Sequence, residues 1–151
     1  MRKMLTSLLP KFGALWIGLH LPSLSLPETN VIGVHVQNLR SDKGQVICSL
    51  FSSPEGFPKD SRKSVRRVTS AISTKQASCF FFEIPPGTYA LAVFHDENSN
   101  GKLDTNFLGI PREGVGASNG ATGHLGPPKF DAAAFQFSGG RLNLEIVIHY
   151  L

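Results

Sequence analysis

Cysteine is scarce in this chain, and no apolar run is long. The only two cysteines, Cys48 and Cys79, form no C-x-x-C pair, which excludes the compact thiol clusters of zinc ribbons and dithiol redox motifs. Neither stands near the N-terminus, where a lipoprotein would carry its modified cysteine. The longest apolar stretch is Phe12 to Leu21, roughly half of what a membrane-spanning helix requires. No window sustains a helical period. A Walker loop, a dinucleotide fingerprint and interleaved basic and aromatic residues are all missing, so nucleotide and nucleic-acid binding are set aside.

What is present begins with a leader. Met1, Arg2, Lys3 and Lys11 precede the apolar run, and Pro22 and Ser23 close it. This is the pattern of a secretory signal peptide, with Ser23 and Ser25 at the spacing that a signal peptidase reads. The expectation is a signal peptide over residues 1–25 and one folded domain over 26–151, exported to the periplasm or the cell exterior, with no stable membrane span after cleavage. Loss of Arg2, Lys3 and Lys11 reduces 15 basic residues to 12 against 11 acidic ones, so the pI near 9.3 says little about the folded part. A basic cluster remains at Lys59, Arg62, Lys63, Arg66 and Arg67. It reads as a charged edge strand that resists pairing with other chains, or as a face for an anionic partner.

A length of 151 residues with 41% hydrophobic and 17% charged content fits one compact core. Ile32, Val34 and Val36 alternate with Gly33 and His35, and Gln45 to Ser52 is apolar and partly β-branched, so these two strands are expected to form a hairpin. Further strands are expected over Ser64 to Ser73, over Ala77 to Ile84 with Phe80, Phe82 and Ile84 on one face, and over Thr88 to His95. Ala133 to Phe137 and the strictly alternating Leu142 to Tyr150 complete the set. About seven short strands with Pro/Gly turns predict an all-β, antiparallel β-sandwich of immunoglobulin-like or transthyretin-like topology, a barrel being the alternative. An oxidising compartment permits a Cys48–Cys79 disulfide, and the sequence does not choose between a bridge and two buried thiols.

The long connection from Asp96 to Pro128 carries the chemistry, because an irregular stretch of that length inside a compact domain is usually functional or disordered. Its run HDENSNGKLDTN sets Asp96, Asn98, Asn100 and Asp104 at positions 1, 3, 5 and 9, with Gly101 at position 6 and the Lys102 carbonyl at position 7. That spacing suits calcium, which takes six to eight hard oxygen ligands around a turn sharpened by glycine. Position 12 is Phe107 rather than a bidentate Glu and no helix pattern flanks the loop, so an EF-hand is not expected. His95, Glu97, Gly101, Glu113, Ser118 and Asn119 are candidates for the surrounding shell. The rival explanation is a set of Asx turns at the end of a strand, with no ion.

The run PPGTYALAVFHDENSNGKLDTNFLGIPREGVGASN, followed by GPPKFDAAAF, resembles DUF2141, a bacterial family of unknown function. The likeness extends from about Ile32 to Tyr150 and implies a small exported β domain of the sandwich kind, with no established activity. Residues Gly120 to Leu125 look additional to the family pattern. More distantly, the strand, Pro-Gly turn, strand and Asp/Asn-rich loop are similar to the calcium-bearing B-type repeats of surface proteins.

Catalysis has weaker support. Gly116 to Gly120 formally matches the G-x-S-x-G nucleophile signature around Ser118, but that signature requires a strand before it and a helix after it in an α/β fold. His95 and His124 with Asp96 offer imidazole and carboxylate ligands to a transition metal, at a spacing that matches no compact zinc motif. A metal-dependent or carbohydrate-active domain built on His95 and Asp96 is therefore the alternative to a binding domain. A purely structural envelope module presenting Phe107, Leu108 and Ile110 is a third reading. The partner in the first reading is an envelope protein or a glycan. The segment Leu26 to Asn30, although it reads LPETN, follows the leader rather than preceding a C-terminal tail, and is taken as a linker.

Overall fold

The computed structural model describes residues 29–123 and 125–151; the leader, its cleavage point and His124 lie outside them. Eight strands form among the described residues: β1 (Val31–Gln37), β2 (Gln45–Phe51), β3 (Arg66–Ala71), β4 (Ala77–Phe82), β5 (Gly87–Asp96), β6 (Val115–Ala117), β7 (Phe135–Phe137) and β8 (Arg141–Val147). A four-residue helix, α1 (Phe130–Ala133), precedes β7, where the sequence suggested that a strand begins at Ala133. The fold is all-β, in two sheets. One has the order β4-β1-β8 and the other β3-β2-β5-β6, with β7 added beside β5.

Two expectations about pairing are corrected. β1 and β2 do not form a hairpin, because they belong to different sheets. Asn38 takes a left-handed conformation (φ 66°), and Leu39 is buried while its amide donates to the Lys75 carbonyl, so the connection crosses from one sheet to the other. The sheets are also not wholly antiparallel. β8 lies parallel to β1, with Val34 opposite Leu144 and Val36 opposite Ile146.

The period of two explains the core. Ile32, Val34 and Val36 of β1 face Val46, Cys48 and Leu50 of β2 and Leu91 and Val93 of β5, joined by Phe81, Ile84, Ile146 and Ile148. This cluster fills the space between the sheets. On β4, Ala77, Cys79 and Phe81 point inward, whereas Phe80 and Phe82 are exposed. Phe80 and Phe82 share one face as expected, and Ile84 does not join them. Glu83 has φ 56°, which interrupts the alternation before the buried Ile84. Cys48 and Cys79 are joined in a disulfide, with Cα atoms 6.6 Å apart, and the bond ties β2 of one sheet to β4 of the other.

The far side of the second sheet is also covered. Phe51, Ala90 and Ala117 lie under Phe130 and Ala133, with Phe57 packed edge-on against both Phe51 and Phe130. The long connection after β5 thus contributes β6 to the sheet and α1 to a second apolar layer. Its first part, Glu97 to Pro111, stands clear of the core.

The basic cluster is the rim of β3, an edge strand. Arg62 pairs with Asp60 and Lys63 with Glu55, so the rim is partly neutralised within the chain.

Candidate functional site

β5 ends with His95 and Asp96, and strand geometry sends their side chains to opposite faces. His95 turns inward and is fully buried; its Nε2 lies 2.7 Å from the Lys43 carbonyl and its Nδ1 2.7 Å from the Tyr150 hydroxyl. A carbonyl only accepts, so Nε2 carries a proton, and the Tyr150 hydroxyl, which accepts from the Arg40 amide at 3.0 Å, can donate to Nδ1. Both ring nitrogens are thereby engaged. His95 is a structural support of the C-terminal segment and does not share a ligand sphere with Asp96.

Asp96, equally buried, points to the other face and organises the loop. Its Oδ1 accepts from the Asn100 amide (3.0 Å), and its Oδ2 accepts from the Gly101 amide (2.8 Å) and from Gln45 Nε2 (2.7 Å). Two Asx turns follow. Asn98 Oδ1 accepts from the Asn100 amide at 3.1 Å, and Asn100 Oδ1 from the Lys102 amide at 2.8 Å. The Nδ2 groups of Asn98 and Asn100 both donate to the Asp104 carboxylate, at 2.7 and 3.0 Å. Gly101 supplies the sharp turn with φ 77°, and its carbonyl accepts from Arg67 on the edge strand. The structure therefore brings Asp96, Asn98, Asn100, Gly101, Lys102 and Asp104 into one compact loop.

Glu113 closes that loop from below. Its carboxylate is buried, with one oxygen accepting from the Glu97 amide (2.8 Å) and the other from the Asp104 amide (3.0 Å). Two backbone donors seven residues apart along the loop's path thus share one anion. Ser118 and Asn119 are elsewhere. Ser118 accepts from the Leu91 amide and donates to the Ala133 carbonyl, and Asn119 donates to the Ala134 carbonyl. Leu91 lies five residues back along β5 from Asp96, roughly 16 Å at the rise of a strand. Both residues hold the α1 segment to the sheet. Because the Ser118 hydroxyl is buried and doubly bonded, and a single turn rather than a helix follows it, the G-x-S-x-G spacing does not build a nucleophile elbow.

Beside the loop runs an open groove lined by Arg40, Glu97, Asn98, Asp104, Thr105, Arg112 and Glu113. Arg40 makes a two-pronged ion pair with Glu97, at 2.6 and 2.5 Å, and its guanidinium sits 4.5 Å over the Tyr150 ring. That hydrogen-bonded pairing holds the Glu97 carboxyl below the usual carboxylate range and raises Arg40 in turn. Burial pushes the Tyr150 phenol up. Gln45, Arg40 and Tyr150 were invisible to motif spacing, since they are 51, 57 and 55 residues from Asp96, Glu97 and His95. No local signal in the sequence marks them.

Among the described residues, no three His, Cys, Asp or Glu side chains group tightly enough to hold a metal ion. The donor set of the loop is of another kind, two carboxylates with amide and backbone oxygens, which suits a hard cation rather than zinc or copper. Each amide oxygen accepts one backbone N–H and keeps a second lone pair. An entering ion would replace the two amide contacts to Asp104.

A family model described as an uncharacterised protein conserved in bacteria, DUF2141, matches residues 34–145. No curated protein and no solved structure matches the chain.

Proposed function

The chain belongs to the DUF2141 family, and from that premise we propose that it is an exported envelope binding domain whose loop from Asp96 to Asp104 takes calcium as a structural ligand. Its architecture on this reading is an immunoglobulin-like or transthyretin-like sandwich, following a signal peptide that ends near residue 25. The observation that carries the proposal is the convergence of Asn98 and Asn100 on the Asp104 carboxylate, in a loop whose shape is already set by backbone bonds to Asp96 and Glu113. Asp96, Asn98, Asn100, Asp104 and the Lys102 carbonyl would hold the ion, and Glu97, Gly101 and Glu113 would frame it. Only two formal negative charges face the site and two hydrogen bonds must be given up. Affinity should therefore fall in the range of extracellular modules, with Kd about 10⁻⁴ to 10⁻³ M.

Thermal unfolding in 10 mM calcium and in chelator tests this. An ion that binds only the folded state raises stability by about 1.4–2.7 kcal/mol at ten to a hundred times Kd. The expected rise in Tm is roughly 5–10 °C for a domain of this size. Asp104→Ala, which removes a carboxylate bonded only to side-chain amides, should abolish the rise. Equal midpoints with calcium and with chelator would leave the Asx turns as the whole explanation of the loop.

A further inference from the structure

Beyond the Asp96 loop the chain makes a second, tighter hairpin. Thr105 and Pro111 bridge its feet, and the Asn106 amide donates to the Ile110 carbonyl at 2.9 Å. Inside it, Asn106 Oδ1 accepts from the amides of both Leu108 (2.9 Å) and Ile110 (3.0 Å), while the Gly109 amide returns to the Asn106 carbonyl at 3.0 Å. Gly109 adopts φ 76°, and no atom lies within 4 Å of where its Cβ would stand. Four hydrogen bonds thus hold the turn, yet what it displays is apolar: Phe107 is 93% exposed, Leu108 68% and Ile110 44%. Ordered backbone with uncovered large side chains marks an interaction surface rather than a frayed loop.

The shape and charge of this tip select its partner. A convex tip of three side chains offers a few hundred Å² at most, since one large aromatic buries about 150–250 Å². A stable protein interface requires about 800 Å² from each side. A bilayer asks for no such area, because apolar side chains enter the acyl boundary one by one. Arg112 follows the foot at Pro111, and Lys102 lies three residues before Thr105, the Asp104 carboxylate between them being bonded to Asn98 and Asn100; both cations are exposed and neither is in an ion pair among the described residues. Cations beside an apolar tip match an anionic headgroup layer above an acyl layer.

We infer that the Thr105–Pro111 hairpin docks on anionic lipid surfaces, inserting Phe107 and Leu108 while Lys102 and Arg112 meet the headgroups. Docking does not require calcium in the neighbouring loop, so the two ideas stand or fall on separate measurements. Phe107→Trp in a Trp16→Phe background makes the tip the only tryptophan of the full chain. Its emission should shift to the blue on vesicles of phosphatidylglycerol and phosphatidylcholine, shift less on pure phosphatidylcholine, and recover as salt screens the headgroups. Leu108→Asp should abolish the shift with an unchanged Tm. Emission unmoved by anionic vesicles overturns the inference. So does a blue shift that grows with protein concentration without lipid, which would mean that a second copy covers the tip. An equal shift on both vesicle types overturns the role given to Lys102 and Arg112.

Discussion

Asp96 on β5 and Gln45 on β2 face each other across the sheet, and the Gln45 side-chain amide donates to the Asp96 carboxylate at 2.7 Å. The first residue of the loop is therefore anchored to a neighbouring strand before the loop begins. His95, one residue earlier, faces the opposite side and anchors Lys43 and Tyr150. One strand end thus supports two structures, the exposed loop on one face and the C-terminal segment on the other. The two side chains therefore do not converge on one point.

The alternation on β4 makes a sharp contrast between adjacent aromatics. Phe81 is 1% exposed in the shared core and Phe80 is 45% exposed on the outer face. Phe81→Ala should cost about 3–5 kcal/mol, the transfer and cavity terms of a buried aromatic, while Phe80→Ala should cost less than about 1 kcal/mol. Urea midpoints of the two variants measure the difference. Similar losses would mean that a partner or a second sheet covers Phe80.

The Cys48–Cys79 bond closes a loop with a sequence separation of 31 residues and ties the two sheets through the core. Restricting the unfolded chain over such a loop is worth about 3–4 kcal/mol on the chain-entropy model. The Cys48→Ala/Cys79→Ala variant should lose that much, and wild-type protein should lose a comparable amount under reducing conditions. Reduction that leaves the unfolding midpoint unchanged would show that the bond does not stabilise the fold.

Much of this architecture was legible because strands print a period of two: Ile32, Val34 and Val36 and Leu142 to Ile148 both alternate as read, and the loop spacing from Asp96 to Asp104 does gather one cluster. Four features were not. Phe80, Phe81 and Phe82 are equally apolar, so composition could not say which side faces in. β6 has only Val115, Gly116 and Ala117, too short to show a period amid glycines. The crossing of β1 and β2 into different sheets depends on Asn38, whose left-handed conformation leaves no periodic trace. The supports of the loop, Gln45, Arg40 and Tyr150, meet it only through the tertiary fold.

Glu97 should make stability depend on acid. Arg40 hydrogen-bonds to its carboxylate and holds its pKa below the ordinary 4.5, so the folded state favours the ionised form. A depressed carboxyl pKa gives stability that is present above the unfolded value and is lost as pH falls through the folded one. The pair is partly exposed, so the contribution is at most about 1 kcal/mol. Wild type should exceed Glu97→Gln by this amount at neutral pH, with a constant gap down to the usual carboxylate range and a closing gap below it. A gap that widens on acidification would contradict the assignment.

Glu113 offers the most direct probe of how the loop is held. It accepts from the amides of Glu97 and Asp104, the two ends of the loop, and the residue is only 4% exposed. Hydrogen bonds to a charged acceptor contribute about 1.5–3 kcal/mol each, and buried donors left without a partner are costly. Glu113→Ala should therefore destabilise the protein by about 3 kcal/mol or more. Glu113→Gln keeps one acceptor oxygen but turns an amide N–H₂ toward the second backbone donor, so its cost should lie between wild type and Ala. Hydrogen exchange separates a local from a global effect: the Glu97 and Asp104 amides should both lose protection in Ala and one of them in Gln, while those of β1 and β2 keep theirs in Gln. Protection at Glu97 and Asp104 that survives the Ala change would mean that Asp96 alone shapes the loop, and that Glu113 is buried for another reason.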